Sequence, residues 1–305
     1  MTRMRNGEGV PASLRFLEEG GQTGREILAY PWSDTPLGPL EALILGIVEG
    51  ITEYLPVSST GHLILTQRLL GIGNDPASRT FAICIQGGAI LAVLGLYWPR
   101  VRSMLRLEAQ GLQLARNLLI AFAPAVVAAL LLEDFIDAHL FGLVPVVCAW
   151  LVGGVVMLGW KRLRDGNPGG SGLETMGWRI ALFIGLFQCL ALLPGTSRSF
   201  ATIAGGLLLG LSGAAAVEFS LLLGVLTLTA ATAKKALDGG ADMLEQFGTA
   251  PVAIGFLAGG VSAFLAVRWL VAWLQQRGLA PFGWYRVILA LVVAVLLWQG
   301  VIDAS

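Results

Sequence analysis

Long apolar runs are the feature of this 305-residue sequence that most restricts its fold. A helix needs about 20 apolar residues to cross the roughly 30 Å of hydrocarbon in a bilayer. With 13% charged residues, the chain is well below the roughly one quarter of a soluble domain. The sequence therefore predicts an all-α, polytopic membrane protein. Six runs of spanning length lie near residues 80–98, 117–133, 141–160, 215–233, 250–273 and 284–302.

Two further apolar regions, 39–71 and 178–211, are each interrupted by a polar cluster that contains proline. Neither side of either interruption is comfortably long enough to cross the bilayer. We therefore expect each region to form a re-entrant helical hairpin, with full crossings as the alternative.

The order of these segments suggests an internal repeat. A hairpin followed by three spans occurs twice, and both interruptions contain the pattern Leu-Pro-x-[Ser/Thr]-Ser, at 55–59 and at 193–197. Because three spans is an odd number, the second half would be inverted in the membrane, as in many transporters. We expect one membrane domain, 39–302, with repeats at 39–160 and 178–302, after a polar extension at 1–38.

Charged residues between the spans predict the orientation. Arginine and lysine concentrate in the loops 99–116, 161–179 and 274–286, which should therefore be cytoplasmic, whereas the acidic turn at 133–140 should lie outside. The first hairpin would then enter from outside and the second from the cytoplasm. Acidic and basic residues number 20 each, so there is no basic excess that would favour nucleic acid as a partner.

The first interruption lies in the segment EGITEYLPVSSTGH, residues 49–62. Glu49 and Glu53 are four residues apart and share one face of a helix. Ionised carboxylates are costly in a membrane, so a cation, an arginine or protonation must compensate for them. We predict that both glutamates bind a divalent cation, Mg²⁺ or Ca²⁺, which prefer oxygen ligands.

Hydroxyl groups follow at the start of the next helix, on Ser58, Ser59 and Thr60. The N–H groups at a helix N-terminus favour anions, so these residues are candidates for phosphate binding. His62 lies three residues after Ser59, and we predict that it activates the Ser59 hydroxyl as a base. Helix capping by the serine and a packed core histidine are the structural alternatives.

The second interruption places Ser197, Arg198 and Ser199 at the start of another apolar helix. A guanidinium binds phosphate through paired hydrogen bonds, so Arg198 is the candidate anion clamp, with the two serines beside it. An ion pair between Arg198 and Glu49 or Glu53 is the alternative role. If the two hairpins meet, metal ligands, nucleophile, base and anion clamp form one site.

The two segments EGITEYLPVSSTGH and LLPGTSRSFATIAGG resemble the undecaprenyl-diphosphate phosphatase family, also called the bacitracin-resistance proteins, and the likeness covers about 39–302. The resemblance implies hydrolysis of undecaprenyl diphosphate in the bacterial plasma membrane, at an outward-facing, cation-dependent site. Such a reaction recycles the lipid carrier of peptidoglycan synthesis. The resemblance also implies that Glu49 and Glu53 serve the metal and catalysis, Ser59 and His62 attack or proton transfer, and Arg198 phosphate binding.

The chain departs from the family pattern at Phe200, where glycine is usual, at Leu226, where proline is common, and at Gly87, which replaces leucine. We expect Phe200 to crowd the turn beside Arg198. The nucleophile stays open between Ser59, His62 and water, and a homodimer is also open.

Two other functions are compatible with parts of the sequence. The inverted repeat would suit a transporter or flippase for polyprenyl phosphate lipids. The segments Thr60-Gly61-His62 and Ser197-Arg198 also echo a membrane phosphatase class that uses two histidines, but no histidine follows Arg198.

Overall fold

The computed structural model describes residues 37–73, 75–140, 142–165, 167 and 169–302. Within these ranges the chain is helical, and the only β pairing is one isolated bridge between Ser171 and Leu211. The helices are α1 (Pro39–Thr52), α2 (Ser59–Leu69), α3 (Pro76–Cys84), α4 (Gln86–Leu96), α5 (Trp98–Leu105), α6 (Ala109–His139), α7 (Leu143–Gly159), α8 (Lys161–Asp165), α9 (Trp178–Cys189), α10 (Arg198–Leu208), α11 (Gly213–Phe247), α12 (Thr249–Gln276) and α13 (Ala280–Trp298).

The prediction of an all-α, polytopic membrane protein is confirmed. Five helical segments in the described ranges are long and apolar enough to span a bilayer: Pro76–Leu96, Ala109–Leu132, Gly213–Phe247, Thr249–Leu274 and Ala280–Trp298. The remaining predicted span, 141–160, corresponds to α7, whose 17 residues fall just short of that length. The first long segment is divided at Ile85 into α3 and α4.

Local sequence explains where several of these helices begin. Pro39 starts α1 and Pro76 starts α3, positions at which the missing N–H of proline is not needed. The Asp75 carboxylate accepts hydrogen bonds from the N–H groups of Ala77 and Ser78, which caps α3. Ser212 caps α11 in the same way.

Both interrupted regions form pairs of short helices. α1 and α2 have 14 and 11 residues, and α9 and α10 have 12 and 11 residues, so none is long enough to cross the bilayer alone. Each polar cluster, taken together with the first residues of the helix that follows it, is one break: residues 53–60 form break 1, and residues 190–199 form break 2. Whether each pair of short helices re-enters the membrane or crosses it stays a prediction.

In both breaks, the residue immediately before the second helix has a similar backbone conformation. Ser58, before α2, has φ 74° and ψ 98°, and Ser197, before α10, has φ 74° and ψ 118°. This correspondence pairs Ser58 with Ser197, one residue away from the sequence match, which pairs Ser58 with Thr196. The new register also pairs Glu49 with Gln188, each nine residues before its serine. The inverted repeat itself stays a prediction.

Helix packing places the two breaks side by side. α1 packs on α12, α7 packs on α13, and α10 packs between α9 and α11. The largest apolar core surrounds α10 and α11 and contains Phe219, Leu223 and Ile203. Tyr54 and Val57 of break 1 belong to the same core. The core therefore fixes break 1 against the helices that carry break 2.

Two details of the predicted loops are wrong. The region 133–140, predicted as a turn, is helical up to His139, although the side chains of its acidic residues and of His139 lie outside the described set. Arg286, counted among the cytoplasmic loop charges, lies inside α13 and is 0% exposed. The predicted extension, 1–38, lies outside the described residues except for Leu37 and Gly38, and the domain boundaries stay predictions.

Candidate functional site

Glu53 links the two breaks. Its Oε2 atom accepts a hydrogen bond of 2.5 Å from the Ser59 hydroxyl, and its Oε1 atom lies 3.3 Å from Nη2 of Arg198. The Glu53 side chain is 5% exposed and that of Arg198 is 11% exposed. Breaking a buried ion pair by removing one partner typically destabilises a protein by about 3–5 kcal/mol. Three of the predicted site residues therefore form one buried polar cluster.

Other groups hold the Arg198 guanidinium in place. Nη1 donates to the carbonyl oxygen of Ser220 at 2.9 Å, and the guanidinium carbon lies 5.6 Å from the ring centroid of Tyr54. A Cβ atom at position 224 would lie 2.5 Å from Nη1, so Gly224 leaves the space that the guanidinium occupies. The buried Nε atom of Arg198 has no hydrogen-bond partner, which leaves one donor available to an anion.

The serines of break 2 hold the two breaks together. The Ser199 hydroxyl donates to the carbonyl oxygen of Leu55 in break 1 at 2.8 Å. The hydroxyls of Ser197 and Ser199 are 2.9 Å apart, and Ser197 also accepts from the N–H of Phe200 at 3.2 Å. Both serines therefore have structural partners, in addition to the predicted phosphate role.

Glu49 lies one helical turn before Glu53 and is 0% exposed. Neither of its carboxylate oxygens has a hydrogen-bond partner. Since a buried, unpaired carboxylate is strongly unfavourable, this position calls for a proton or a cation.

The two glutamates fit a divalent cation in part. Hard cations such as Mg²⁺ and Ca²⁺ take oxygen ligands, and Mg²⁺ commonly uses one or two carboxylates together with substrate phosphates and water. No group of three or more His, Cys, Asp or Glu side chains suitable for a metal occurs in the described part of the chain. Glu49 and Glu53 could therefore supply two ligands, and phosphate and water the remainder.

Both ring nitrogens of His62 form hydrogen bonds with groups other than the Ser59 hydroxyl. Its Nδ1–H donates to the carbonyl oxygen of Ser58 at 2.7 Å, and the Tyr285 hydroxyl donates to Nε2 of the neutral ring, also at 2.7 Å. The ring stacks on Tyr285 with an interplanar angle of 8°. The expected pairing of His62 with Ser59 is thus replaced by the pairing of Ser59 with Glu53.

The remaining hydroxyls of break 1 lie at the same helix start. Ser58 is buried without a side-chain capping bond, and Thr60 is half-buried. Their predicted role in phosphate binding stays a prediction.

The three residues that depart from the family pattern each pack against identifiable neighbours. The Phe200 ring is buried 5.1 Å from the guanidinium carbon of Arg286, so it packs on Arg286 and not only beside Arg198. A Cβ at Gly87 would meet the ring of Phe256, so that ring fills the space of a larger side chain. Leu226 is half-buried against the main core.

Sequence reasoning missed three residues of this neighbourhood: Tyr54, Tyr285 and Arg286. Tyr54 is adjacent to Glu53 in sequence and could have been included on that ground. Tyr285 and Arg286 lie about 225 residues from break 1, and only the packing of α13 on α7 brings them close. Glu218, in α11, pairs with Arg100 at 2.6 Å, and Arg100 also reaches Glu174.

Comparison with known proteins identifies the family of this chain. Residues 42–292 match the model of the family described as bacitracin resistance protein BacA. A protein of Polaromonas naphthalenivorans named undecaprenyl-diphosphatase is 45% identical over 270 residues, which cover 86% of this chain and 96% of the relative. An undecaprenyl-diphosphatase of Methylococcus capsulatus is 46% identical over 264 residues, covering 83% of this chain and 93% of the relative.

A third relative, undecaprenyl-diphosphatase 2 of Rhodospirillum rubrum, is 45% identical over 269 residues, with 87% of this chain and 97% of the relative covered. The family match spans both breaks, the buried cluster around Glu53 and the start of α13. The chain belongs to the bacitracin resistance protein BacA family.

Proposed function

We propose that this protein is a membrane phosphatase that hydrolyses undecaprenyl diphosphate to undecaprenyl phosphate and inorganic phosphate. The observation that carries the proposal is the shared carboxylate of Glu53, which contacts a hydroxyl nucleophile from break 1 and a guanidinium from break 2. The names of the relatives supply the substrate. The reaction would recycle the carrier lipid for peptidoglycan and other envelope polymers, and would underlie bacitracin resistance.

The hydrogen bonds favour Ser59 as the nucleophile and Glu53 as its base. As the Ser59 oxygen forms a bond to the terminal phosphorus, its proton passes to Oε2 of Glu53, already 2.5 Å away. The bond between phosphorus and the bridging oxygen breaks, and undecaprenyl phosphate leaves with that oxygen. Water then hydrolyses the phosphoserine. Attack by His62 or directly by water are the alternatives.

Arg198 would bind the phosphoryl group during this transfer. Little covalent chemistry is required of the protein in phosphoryl transfer, so positioning and charge stabilisation dominate. The unpartnered Nε–H of Arg198 gives a donor for a phosphate oxygen. Ser58, Thr60 and the N–H groups at the start of α2 would add further donors.

A divalent cation, Mg²⁺ or Ca²⁺, is part of the proposal. When bound by Glu49 and Glu53, it would neutralise the charge of the diphosphate. The unpaired oxygens of Glu49 support this assignment, because they need a positive partner when the carboxylate is ionised.

The setting of the site is also proposed. The protein would lie in the bacterial plasma membrane with the reaction site facing outward, as the charges of its loops favour. The lipid substrate would then be hydrolysed on the outer side. A homodimer stays a prediction, which light scattering of the protein in detergent would test.

The phosphatase proposal is preferred to the lipid transporter, because the relatives bear the name of an enzyme that cleaves a diphosphate. The two-histidine phosphatase is also less suitable. That class has its second histidine after the arginine, and no histidine follows Arg198 in this sequence.

Phosphate release from undecaprenyl diphosphate by the purified protein tests the proposal directly. We expect release in the presence of Mg²⁺ or Ca²⁺ and its loss after chelation, with recovery when the cation is restored. In proteoliposomes, movement of the lipid without phosphate release would contradict the phosphatase and support the transporter.

A further inference from the structure

Arg286 lies at the junction of both breaks and helix α7, although it belongs to α13. Its guanidinium donates five hydrogen bonds, all to main-chain carbonyl oxygens. The acceptors are Ala149 at 2.7 Å, Gly195 at 2.9 Å, Thr196 at 3.0 Å, Trp150 at 3.3 Å and Pro56 at 3.4 Å. A guanidinium has five N–H donors, so every donor is used.

The acceptors explain why an arginine is needed at this position. Pro56 belongs to break 1, and Gly195 and Thr196 belong to break 2, where the helices are interrupted and carbonyl groups lack intrahelical partners. At membrane depth, each unsatisfied backbone group costs several kcal/mol. One side chain therefore satisfies carbonyl groups of both breaks at once.

The charge of Arg286 has no local counter-ion. The side chain forms no salt bridge with a carboxylate in the described part of the chain, and its residue is 0% exposed. A buried cation without an acidic partner is held only where many dipoles surround it. The five carbonyl dipoles supply that environment.

The surrounding residues are shaped to admit the guanidinium. A Cβ at position 153 would lie 2.5 Å from Nη2, so Gly153 leaves the space that Arg286 fills. The Phe200 ring, 5.1 Å from the guanidinium carbon, covers another side. Phe200 follows Arg198 by two residues, so the contact also connects Arg286 to the start of α10.

We infer that Arg286 is a positioning residue of the phosphatase site, which joins the backbones of break 1 and break 2 so that Ser59 and Arg198 meet at Glu53. This inference rests on the proposed function for its kinetic consequence. Its structural consequence, a fixed distance between the two breaks, is independent of the reaction. The five hydrogen bonds of Arg286 go to main-chain carbonyl oxygens and not to the side chains of Glu53 or Ser59, so Arg286 would act through the backbone.

The kinetic test compares Arg286→Met and Arg286→Lys with Arg277→Met, which removes an exposed arginine from the turn before α13. A displacement of about 1 Å in reacting groups can lower a rate about 100-fold. We therefore expect Arg286→Met to lower kcat about 100-fold and to change KM less than threefold. Arg286→Lys should recover part of kcat, and Arg277→Met should resemble the wild type.

Repeating the substitution in protein that carries Arg198→Met distinguishes a positioning role of Arg286 from a general loss of stability. If Arg286 acts by bringing Arg198 to Glu53, Arg286→Met should lower kcat/KM less than threefold in protein that already carries Arg198→Met. Equal losses in both backgrounds, per folded molecule, would contradict the inference. Gly153→Ala, which displaces the guanidinium without removing its charge, should lower kcat in the same direction if Arg286→Met does not fold.

A distance measurement tests the inference without enzymatic activity. Spin labels at Ile51→Cys, an exposed position just before break 1, and Leu193→Cys, an exposed position within break 2, would report the separation of the breaks after Cys84, Cys148 and Cys189 are replaced by alanine. We expect a narrow distance distribution with Arg286 and a broader or shifted one with Arg286→Met. An unchanged distribution in a folded Arg286→Met protein would overturn the inference, even if the wild type released no phosphate.

Discussion

The Arg198 guanidinium lies 3.3 Å from the Glu53 carboxylate across 145 residues of chain. This ion pair is the direct contact between the charged groups of the two breaks, and Ser59 donates to the other oxygen of the same carboxylate. The nucleophile and the anion-binding residue are therefore oriented by one side chain.

Removing both partners of this pair should cost less than the sum of the single losses. We expect Glu53→Gln and Arg198→Met each to lower kcat/KM about 10³-fold, within the range for lost acid–base or charge stabilisation. The double variant should be only slightly worse than either single variant, because each needs the other. Phosphate-release kinetics of the four proteins measure the coupling, and strictly multiplicative losses would show that the two residues act separately.

The Ser59 hydroxyl should be essential, whereas an ordinary buried hydroxyl should not. We expect Ser59→Ala to reduce phosphate release about 10³-fold or more while the protein stays folded. Ser262→Ala is the control, because the half-buried Ser262 hydroxyl likewise donates a hydrogen bond, but to the carbonyl oxygen of Ala258 in α12. Near-normal turnover by Ser59→Ala would leave water or His62 as the nucleophile.

We expect the Glu49 carboxylate to lower the thermal stability of the cation-free protein and to strengthen cation binding. Since its buried carboxylate oxygens lack partners, we expect Glu49→Gln to raise the melting temperature in the presence of a chelator. The same variant should need more Mg²⁺ for half-maximal phosphate release, because one carboxylate ligand is lost. A lower melting temperature for Glu49→Gln in chelator would mean that Glu49 has a stabilising partner in the protein itself.

The two serines with positive φ should respond differently to glycine. A non-glycine residue in the left-handed region typically costs about 1–3 kcal/mol. Ser58 has no side-chain capping bond, so Ser58→Gly should raise the melting temperature. Ser197→Gly should gain less, because the Ser197 hydroxyl accepts from Phe200 and contacts Ser199. Thermal unfolding in detergent measures both, and an equal gain at the two positions would exclude a capping role for Ser197.

Much of the fold could be predicted because the membrane imposes strong requirements on sequence. Apolar length identifies the spans, and polar clusters with proline identify the breaks, since backbone groups in lipid must find partners. Sequence alone does not decide whether a helix slightly shorter than about 20 residues spans the bilayer, and α7, with 17 residues, is such a helix. The division at Ile85 was also not predicted.

The sequence indicated which polar residues lie at the two breaks, but not how their side chains pair. Spacing along a helix indicates which side chains can share a face, and on that ground we predicted that Ser59 and His62 interact. It does not show which competing partner a group chooses. Glu53 is the first residue of break 1, and the turn through Pro56 brings its carboxylate to the Ser59 hydroxyl. Tyr285 from α13 forms a hydrogen bond with His62 instead.

The sequence alone determined that this is a polytopic helical membrane protein of a recognisable family, with carboxylates, hydroxyls and an arginine at two breaks. The physical reason is that hydropathy, proline and charge act locally and can be identified in any stretch of chain. The tertiary structure decided that Ser59 pairs with Glu53, that Ser58 corresponds to Ser197, and that Arg286 is a buried link between the breaks. Those outcomes depend on contacts between residues far apart in sequence, where packing selects one partner among several of similar chemistry.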